Sequence, residues 1–240
     1  EKADAKESRS RGSQMDEHHF QSIMQWVLKK GRANPDACAI ALTLTRQLVK
    51  IVEEDDDNLI KPLAAQLLSD FPEIAWPLIG QAIASDRKTA WRFEHLLGDM
   101  YSFRGTQTPP LLSLPEDTLF AWCHAHPDVA PAFVAVVVPV LTSQNPEDAV
   151  RTLHPVMRRL LDEFGDRKDV LDGIARNIGT YGWSGSITTY YALYELPLKE
   201  LEDHPIKQVR FWAQTMIQQL GLQKTAAIEQ DEEQEARWSV

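Results

Sequence analysis

Helical periodicity is the feature that most constrains the fold of this chain. Between residues 16 and 221, apolar side chains recur every three or four positions, as they do at Phe20, Ile23, Met24 and Val27. This spacing places the apolar side chains on one face of an α-helix. No stretch of useful length alternates apolar and polar residues as a half-buried strand does. The pattern therefore predicts an all-α fold of about eleven helices joined by short loops and packed as antiparallel hairpins.

Breaks in the periodicity set the bounds of the predicted helices. The longest break, 102–112, contains Gly105, Pro109 and Pro110, and a second break covers 179–186. Glycine and proline interrupt helices, so both segments are predicted to be loops. The first predicted helix covers residues 20–28, and the second is opened by Asn34-Pro35 and ends at the acidic run 53–57. The other nine cover residues 59–68, 74–83, 86–100, 115–124, 128–141, 155–164, 166–178, 187–202 and 206–220.

The two ends of the chain differ in composition from the middle. Residues 1–15 are charged and small, which is typical of a flexible linker or arm. Residues 222–240 carry a run of carboxylates and end near Trp238, so we interpret them as a solvated acidic tail, or alternatively as a partner-binding peptide. Residues 16–221 are then one helical domain. Because the chain starts at Glu1 with Met15 internal, we expect it to derive from something longer.

Composition excludes several classes of protein. With 240 residues, 43% of them apolar, the chain can bury a sizeable core without disulfides. Its 35 acidic and 25 basic residues give a formal charge of −10, which repels nucleic-acid phosphates. Two cysteines, Cys38 and Cys123, make no disulfide framework and suit a reducing cytoplasm. No apolar run approaches the roughly 18 residues of a membrane span.

Proline recurs where helices are predicted to begin. Asn34-Pro35, His126-Pro127, Asn145-Pro146 and His204-Pro205 each precede an apolar-periodic run. Proline is favoured at the first helical position, where its missing N–H leaves no hydrogen bond unmade. Helix pairs that repeat the same start indicate stacked hairpins, which form an α-solenoid, although the uneven spacing makes the array irregular.

One segment resembles a known repeat family. Asp203-His-Pro205 followed by Val209-Arg210 and Ala213 is similar to the second helix of a HEAT repeat, and Ser85-Asp86 before Ala90 is a weaker match. The stretch from Leu160 to Ala213 also resembles C-terminal HEAT-like segments of large bacterial multidomain proteins, some of which act in defence against phage. The resemblance implies that Asp203 and Arg210 are structural residues that brace neighbouring repeats.

Two clusters resemble catalytic or metal sites and lack an essential part. Zinc sites usually combine two Cys/His pairs, whereas Cys123-His124-x-His126 has no second pair. A nucleophile elbow needs glycine two residues after the serine, and the segment around Ser184 has Ser186 there. Serine before a helix is more often an N-cap. We therefore predict no catalytic residues, no metal and no cofactor.

Nucleic-acid binding is the alternative from another functional class, because some HEAT-like proteins are DNA glycosylases. Such an enzyme needs a basic concave face with aromatic residues at the damaged base. The most basic window, Arg151 to Arg176, holds six Lys or Arg residues and five Asp or Glu residues. A face formed by this window is nearly neutral, which disfavours binding to DNA or RNA.

A protein partner is the function that the sequence favours, with the chain as a non-catalytic scaffold inside a larger bacterial assembly. Aromatic side chains in loops often anchor partners, but they can equally fill the seam between hairpins. Six residues in or beside the two loops are the predicted contacts: Tyr181, Trp183, Tyr190, Tyr191, Phe103 and Arg104. Tyr194 belongs to the same aromatic group.

Overall fold

The protein is all-α, as the periodicity predicts. A computed structural model describes residues 36–52, 57–98, 108–142, 152–180 and 187–238. Across these ranges the chain forms ten α-helices and two short 3₁₀ turns. Their only β pairing is an isolated antiparallel bridge between Leu141 and Leu153. The first predicted helix, 20–28, lies outside the described residues.

Two compact units make up the described chain. The boundary between them falls between Ala125 and His126, inside the predicted 16–221 domain. The first unit contains a 3₁₀ turn at Pro110–Ser113 and five α-helices: α1 (Ala37–Ile51), α2 (Asp57–Asp70), α3 (Pro72–Ser85), α4 (Arg87–Leu97) and α5 (Glu116–Ala125).

Two tryptophans pack against each other in the core of the first unit. Trp76 on α3 and Trp122 on α5 are buried, and their rings meet edge to face with centroids 4.9 Å apart. The Trp122 indole N–H donates to the carbonyl of Gly80, 3.2 Å away. A β-carbon on Gly80 would lie 2.8 Å from the Trp122 Nε1 atom, so the absence of a side chain there permits this approach.

The start of α4 shows how sequence sets a helix boundary in this unit. Asp86 precedes the helix in an extended conformation and accepts hydrogen bonds from the N–H and the hydroxyl of Thr89. An aspartate at this position satisfies a backbone donor that has no partner inside the helix. The hydrogen bond from the Thr89 hydroxyl, and to a smaller degree the one from its backbone N–H, holds the pKa of the Asp86 carboxyl below its usual range.

The second unit contains five further helices and a 3₁₀ turn at Leu201–Asp203. The helices are α6 (Ala130–Val137), α7 (Pro155–Phe164), α8 (Lys168–Thr180), α9 (Ile187–Glu200) and α10 (Lys207–Trp238). None of the described helices combines the length and the apolar character that crossing a membrane requires.

Helix α6 is shorter than the predicted 128–141 because of one proline. Val138 adopts an extended conformation, and it precedes Pro139, which disfavours helical geometry at the residue before it. The buried Asn177 of α8 then donates its side-chain amide to the carbonyls of Ala135, Val136 and Val138, at 3.1, 3.1 and 2.6 Å. Helix ends leave carbonyls without helical partners, and Asn177 supplies donors for this end.

Helix α10 is longer than the predicted 206–220 and continues through the predicted acidic tail to Trp238. The residues from 221 to 229 are mostly exposed, so apolar burial does not account for the extension. The segment is rich in Ala, Glu and Gln, which are good helix formers.

Long-range side-chain hydrogen bonds in both units share one sequence separation. In the first unit Trp122 reaches Gly80, 42 residues earlier. In the second unit Asn177 reaches back 39 to 42 residues, and the Arg158–Glu200 and Asp162–His204 pairs are each 42 residues apart. Arg167 donates to the carbonyl of Pro127, 40 residues earlier. Where both partners of these bonds lie in α-helices, the two helices are separated in sequence by one intervening α-helix.

Candidate interaction surface

The predicted contact residues lie largely outside the described part of the chain. Residues 99–107, with Phe103 and Arg104, and residues 181–186, with Tyr181 and Trp183, fall in undescribed segments. Tyr190 and Tyr191 belong to α9, but their side chains are not among those that the structure describes. Tyr194, the member of the aromatic group that is described, is 1% exposed and belongs to the core.

The segment that resembles a HEAT repeat starts α10 and buries one face of it. Val209 and Ala213 are fully buried, and a β-carbon on Gly165, just after α7, would collide with the Val209 side chain. Arg210 donates to the carbonyls of His204 and Pro205, at 2.6 and 3.0 Å, so its described bonds hold the turn before its own helix. Asp203 is exposed in the 3₁₀ turn.

His204 joins this turn to α7. Its Nδ1 atom accepts from the backbone N–H of Ile206 at 3.2 Å, and its Nε2 atom lies 3.0 Å from the Asp162 carboxylate. A neutral imidazole that accepts at Nδ1 carries its proton on Nε2, so Nε2 donates to Asp162. His154 precedes α7 in the same manner and accepts from the Val156 N–H at 3.3 Å. The sequence signal for both caps is histidine followed by proline.

The His204–Asp162 pair is structural rather than catalytic in its geometry. A histidine beside a carboxylate is a common general base, but the base must have a nitrogen free to receive a proton. Both ring nitrogens of His204 are occupied within the protein, and the side chain is 8% exposed. The histidine therefore holds α10 against α7.

We expect His204→Ala to lower the free energy of unfolding by about 1–3 kcal/mol, because the Ile206 N–H and the packing of the imidazole both lose their partner. His204→Asn is the matched control, since asparagine is a favoured N-cap whose side-chain oxygen can accept the same N–H. Urea denaturation of both variants measures the difference. Equal stability of the alanine and asparagine variants would contradict the capping role.

Five described basic side chains of the second unit form ion pairs with carboxylates. Within the window from Arg151 to Arg176, four ion pairs are formed: Arg158–Glu200, Arg159–Glu163, Arg167–Asp169 and Lys168–Asp172. Lys199 pairs with Glu195 at 2.9 Å. Surface pairs of this kind contribute little stability, about 0–1 kcal/mol each. Each pair also offsets local positive charge of the kind that binds nucleic-acid phosphates.

The strongest of these electrostatic contacts surrounds Arg167. Its guanidinium forms two hydrogen bonds with the Asp169 carboxylate, at 3.1 and 2.7 Å, and also donates to the Pro127 carbonyl. The hydrogen bond from Arg167 holds the pKa of Asp169 below its usual range, and the same contact raises the pKa of Arg167. Both groups therefore stay charged near neutral pH, and they position the start of α8 against the loop before α6.

A small cleft lies between α9 and α10. Glu195, Ile217, Leu220, Gly221 and Lys224 line a volume of about 210 Å³. Small-molecule sites usually occupy about 300–1,000 Å³, so this cleft suits a single side chain better than a substrate. The hydrogen bond from Lys199 lowers the pKa of Glu195, which keeps a carboxylate at the edge of the cleft.

Among the described residues of the second unit, the exposed large apolar side chains lie on α9 and α10. Leu196, Phe211 and Leu222 are 65%, 69% and 73% exposed, and Ile228 is 43% exposed. Apolar periodicity predicts core positions only, so it gives Phe211 and Leu222 no surface role. The signal that could have identified them is their position opposite the buried face of α10.

Among the described residues, no group of three or more His, Cys, Asp or Glu side chains is arranged to hold a metal ion. Cys123 is buried in α5, whereas its sequence neighbour His124 is exposed. Comparisons with protein-family models, with curated proteins and with solved structures found no match to this chain.

Proposed function

We propose that the chain is an irregular HEAT-like α-solenoid that acts as a non-catalytic protein-interaction scaffold in a larger bacterial assembly. The observation that carries the architecture is the recurring separation of 39 to 42 residues between side chains that bond across helices. HEAT and armadillo repeats span about 40–47 residues. When helix pairs stack in a row, each residue meets its counterpart one repeat later, and this separation results.

Three features of the second unit support a scaffold rather than an enzyme. The His204 imidazole has both nitrogens engaged, the cleft described beside Gly221 is small, and five described basic side chains form ion pairs with carboxylates. A solenoid offers extended surfaces, which suit protein partners. The bacterial assembly, with defence against phage as one setting, is what the sequence resemblance contributes to the proposal.

The test uses the full chain as bait in crosslinking and affinity capture from its source cells, with quantitative mass spectrometry of the captured proteins. We expect Trp183→Ala to weaken binding to the captured partner by about 2 kcal/mol or more, since aromatic anchors in loops dominate many interfaces. Trp91→Ala is the matched control, because Trp91 is 56% exposed on α4. Calorimetric titration with the identified partner measures both affinities.

Two outcomes would contradict the proposal. The first is that the full chain enriches no protein above a bait-free control. The second is tight, salt-dependent binding to a fluorescent DNA duplex, which would favour the nucleic-acid class. A Trp183→Ala variant that loses about 3–5 kcal/mol of folding stability instead of affinity would place Trp183 in a helix seam and overturn its assignment as a contact.

A further inference from the structure

One exposed stripe runs along the outer face of α10. At 100° per residue its seven members lie within about 40° of one line on the helix surface, and it is about 33 Å long. All seven are exposed, and we call them the outer stripe: Lys207, Phe211, Gln214, Gln218, Leu222, Thr225 and Glu229. The buried residues Val209, Ala213, Met216 and Leu220 lie on the opposite face.

The outer stripe carries two large apolar side chains in water. Phe211 and Leu222 are 69% and 73% exposed and are separated by three helical turns. A single exposed apolar residue is ordinary on a protein surface. Phe211 and Leu222 point the same way, and only the uncharged Gln214 and Gln218 lie between them on the stripe. Together they form a surface that another helix can cover.

The charges of the outer stripe have opposite signs at its two ends. Lys207 stands in the first turn and Glu229 stands 22 residues later. When two such stripes lie parallel, lysine meets lysine and glutamate meets glutamate. When they lie antiparallel, each Lys207 meets the other copy's Glu229, and the two helix dipoles also oppose each other favourably.

We propose that two copies of this chain associate through antiparallel pairing of their outer stripes. With Gln218 on the two-fold axis, Lys207 faces Glu229 of the second copy, Phe211 faces Thr225, and Leu222 faces Gln214. Phe211 also packs beside Leu222 of the second copy as neighbouring side chains interdigitate. This interface is isologous and closes at a dimer. The inference does not depend on the proposed scaffold function.

Charge reversal tests the pairing directly in the full chain. We expect sedimentation equilibrium to show a concentration-dependent dimer, and Lys207→Glu or Glu229→Lys alone to raise the dimer Kd by about tenfold or more. Each single reversal turns two attractions into two repulsions because of the symmetry. The double variant restores opposite charges and is expected to return the Kd to near the starting value. Far-ultraviolet circular dichroism confirms that all three variants keep their helices.

Two further variants test the register and the apolar centre. In a Cys38→Ser background, Gln218→Cys is expected to form a disulfide-linked dimer on mild oxidation, whereas Gln223→Cys, exposed off the stripe, is not. Phe211→Ser is expected to weaken the dimer, whereas Trp91→Ser, on the exposed surface of α4, leaves it unchanged.

Four results would overturn the inference: a monomer at every concentration, a dimer that neither single reversal weakens, a double variant no stronger than the singles, or equal crosslinking at 218 and 223. Assembly beyond a dimer would also overturn it, because the antiparallel pairing leaves no free copy of the stripe. A monomer that binds a different protein through Phe211 would assign the stripe to that partner instead.

Discussion

Asn177→Asp is expected to lower the free energy of unfolding by about 3–5 kcal/mol at neutral pH, because it buries an unpaired charge. The two side chains have almost the same shape, so packing hardly changes. Asn177 is 2% exposed and donates to three carbonyl oxygens at the end of α6. An aspartate would direct a negative oxygen at those same three oxygens. Thermal or urea unfolding at pH 7 measures the loss.

The pH dependence of this variant gives a second readout. Burial against carbonyl oxygens raises the pKa of the introduced carboxyl above its unfolded value of about 3.9. The folded variant then binds a proton more tightly than the unfolded chain, so its deficit grows as pH rises from about 3.9 to the raised folded pKa and shrinks as pH falls back through this window. Gln81→Glu, which adds the same charge on the exposed surface of α3, should stay within about 0.5 kcal/mol of the parent. A matching loss in the control would contradict the assigned role of Asn177.

Trp122→Ala is expected to cost about 3–5 kcal/mol of folding stability, the range for truncating a buried aromatic side chain. The variant loses the edge-to-face contact with Trp76 and the hydrogen bond to the Gly80 carbonyl. It also leaves a cavity between α3 and α5 that the surrounding helices fill only in part. Calorimetric or denaturant unfolding of the full chain measures the change.

Trp91→Ala is the matched control for that substitution. Trp91 lies on α4 of the same unit, is 56% exposed and has an edge-to-face contact with His95 on its own helix. Removing it empties no buried space, so we expect a loss below about 1 kcal/mol. Equal losses in the two variants would contradict the role of Trp122 in the core of the first unit.

Apolar spacing predicted the positions of the described helices well and their ends less well. The predicted helix 155–164 is confirmed as α7, because Pro155 starts it and Gly165 follows it. The predicted helix 128–141 stops at Val137, since Pro139 disfavours helical geometry at Val138, the residue before it. The effect of this proline could have been predicted from the sequence. The Asn177 cap could not, because the cap joins residues that only the fold brings together.

The end of α10 was mispredicted for a different reason. Apolar periodicity fades after Leu220, and the bounds followed that signal alone. The helix continues because Ala, Glu and Gln favour helical geometry even where little apolar surface is buried. A propensity argument applied to 222–238 would have predicted this extension.

The candidate surface was the least predictable part of the chain. Sequence reasoning chose aromatic residues in loops, and Tyr194, the one of that group whose side chain is described, is buried. An aromatic residue suits a seam and a binding surface equally, so its identity does not separate the two. Phe211 stands two residues after the buried Val209, and only the three-dimensional face of α10 distinguishes their roles.

The separation of about forty residues between bonded side chains also bears on how the protein is made. A bond between side chains about forty residues apart closes a loop of moderate length, and the entropy lost on closing a loop depends on that length. During synthesis, a helix that has left the ribosome waits only for the next-but-one helix before it can bond. Asp162, for example, needs the chain as far as His204 and no farther to complete its bond.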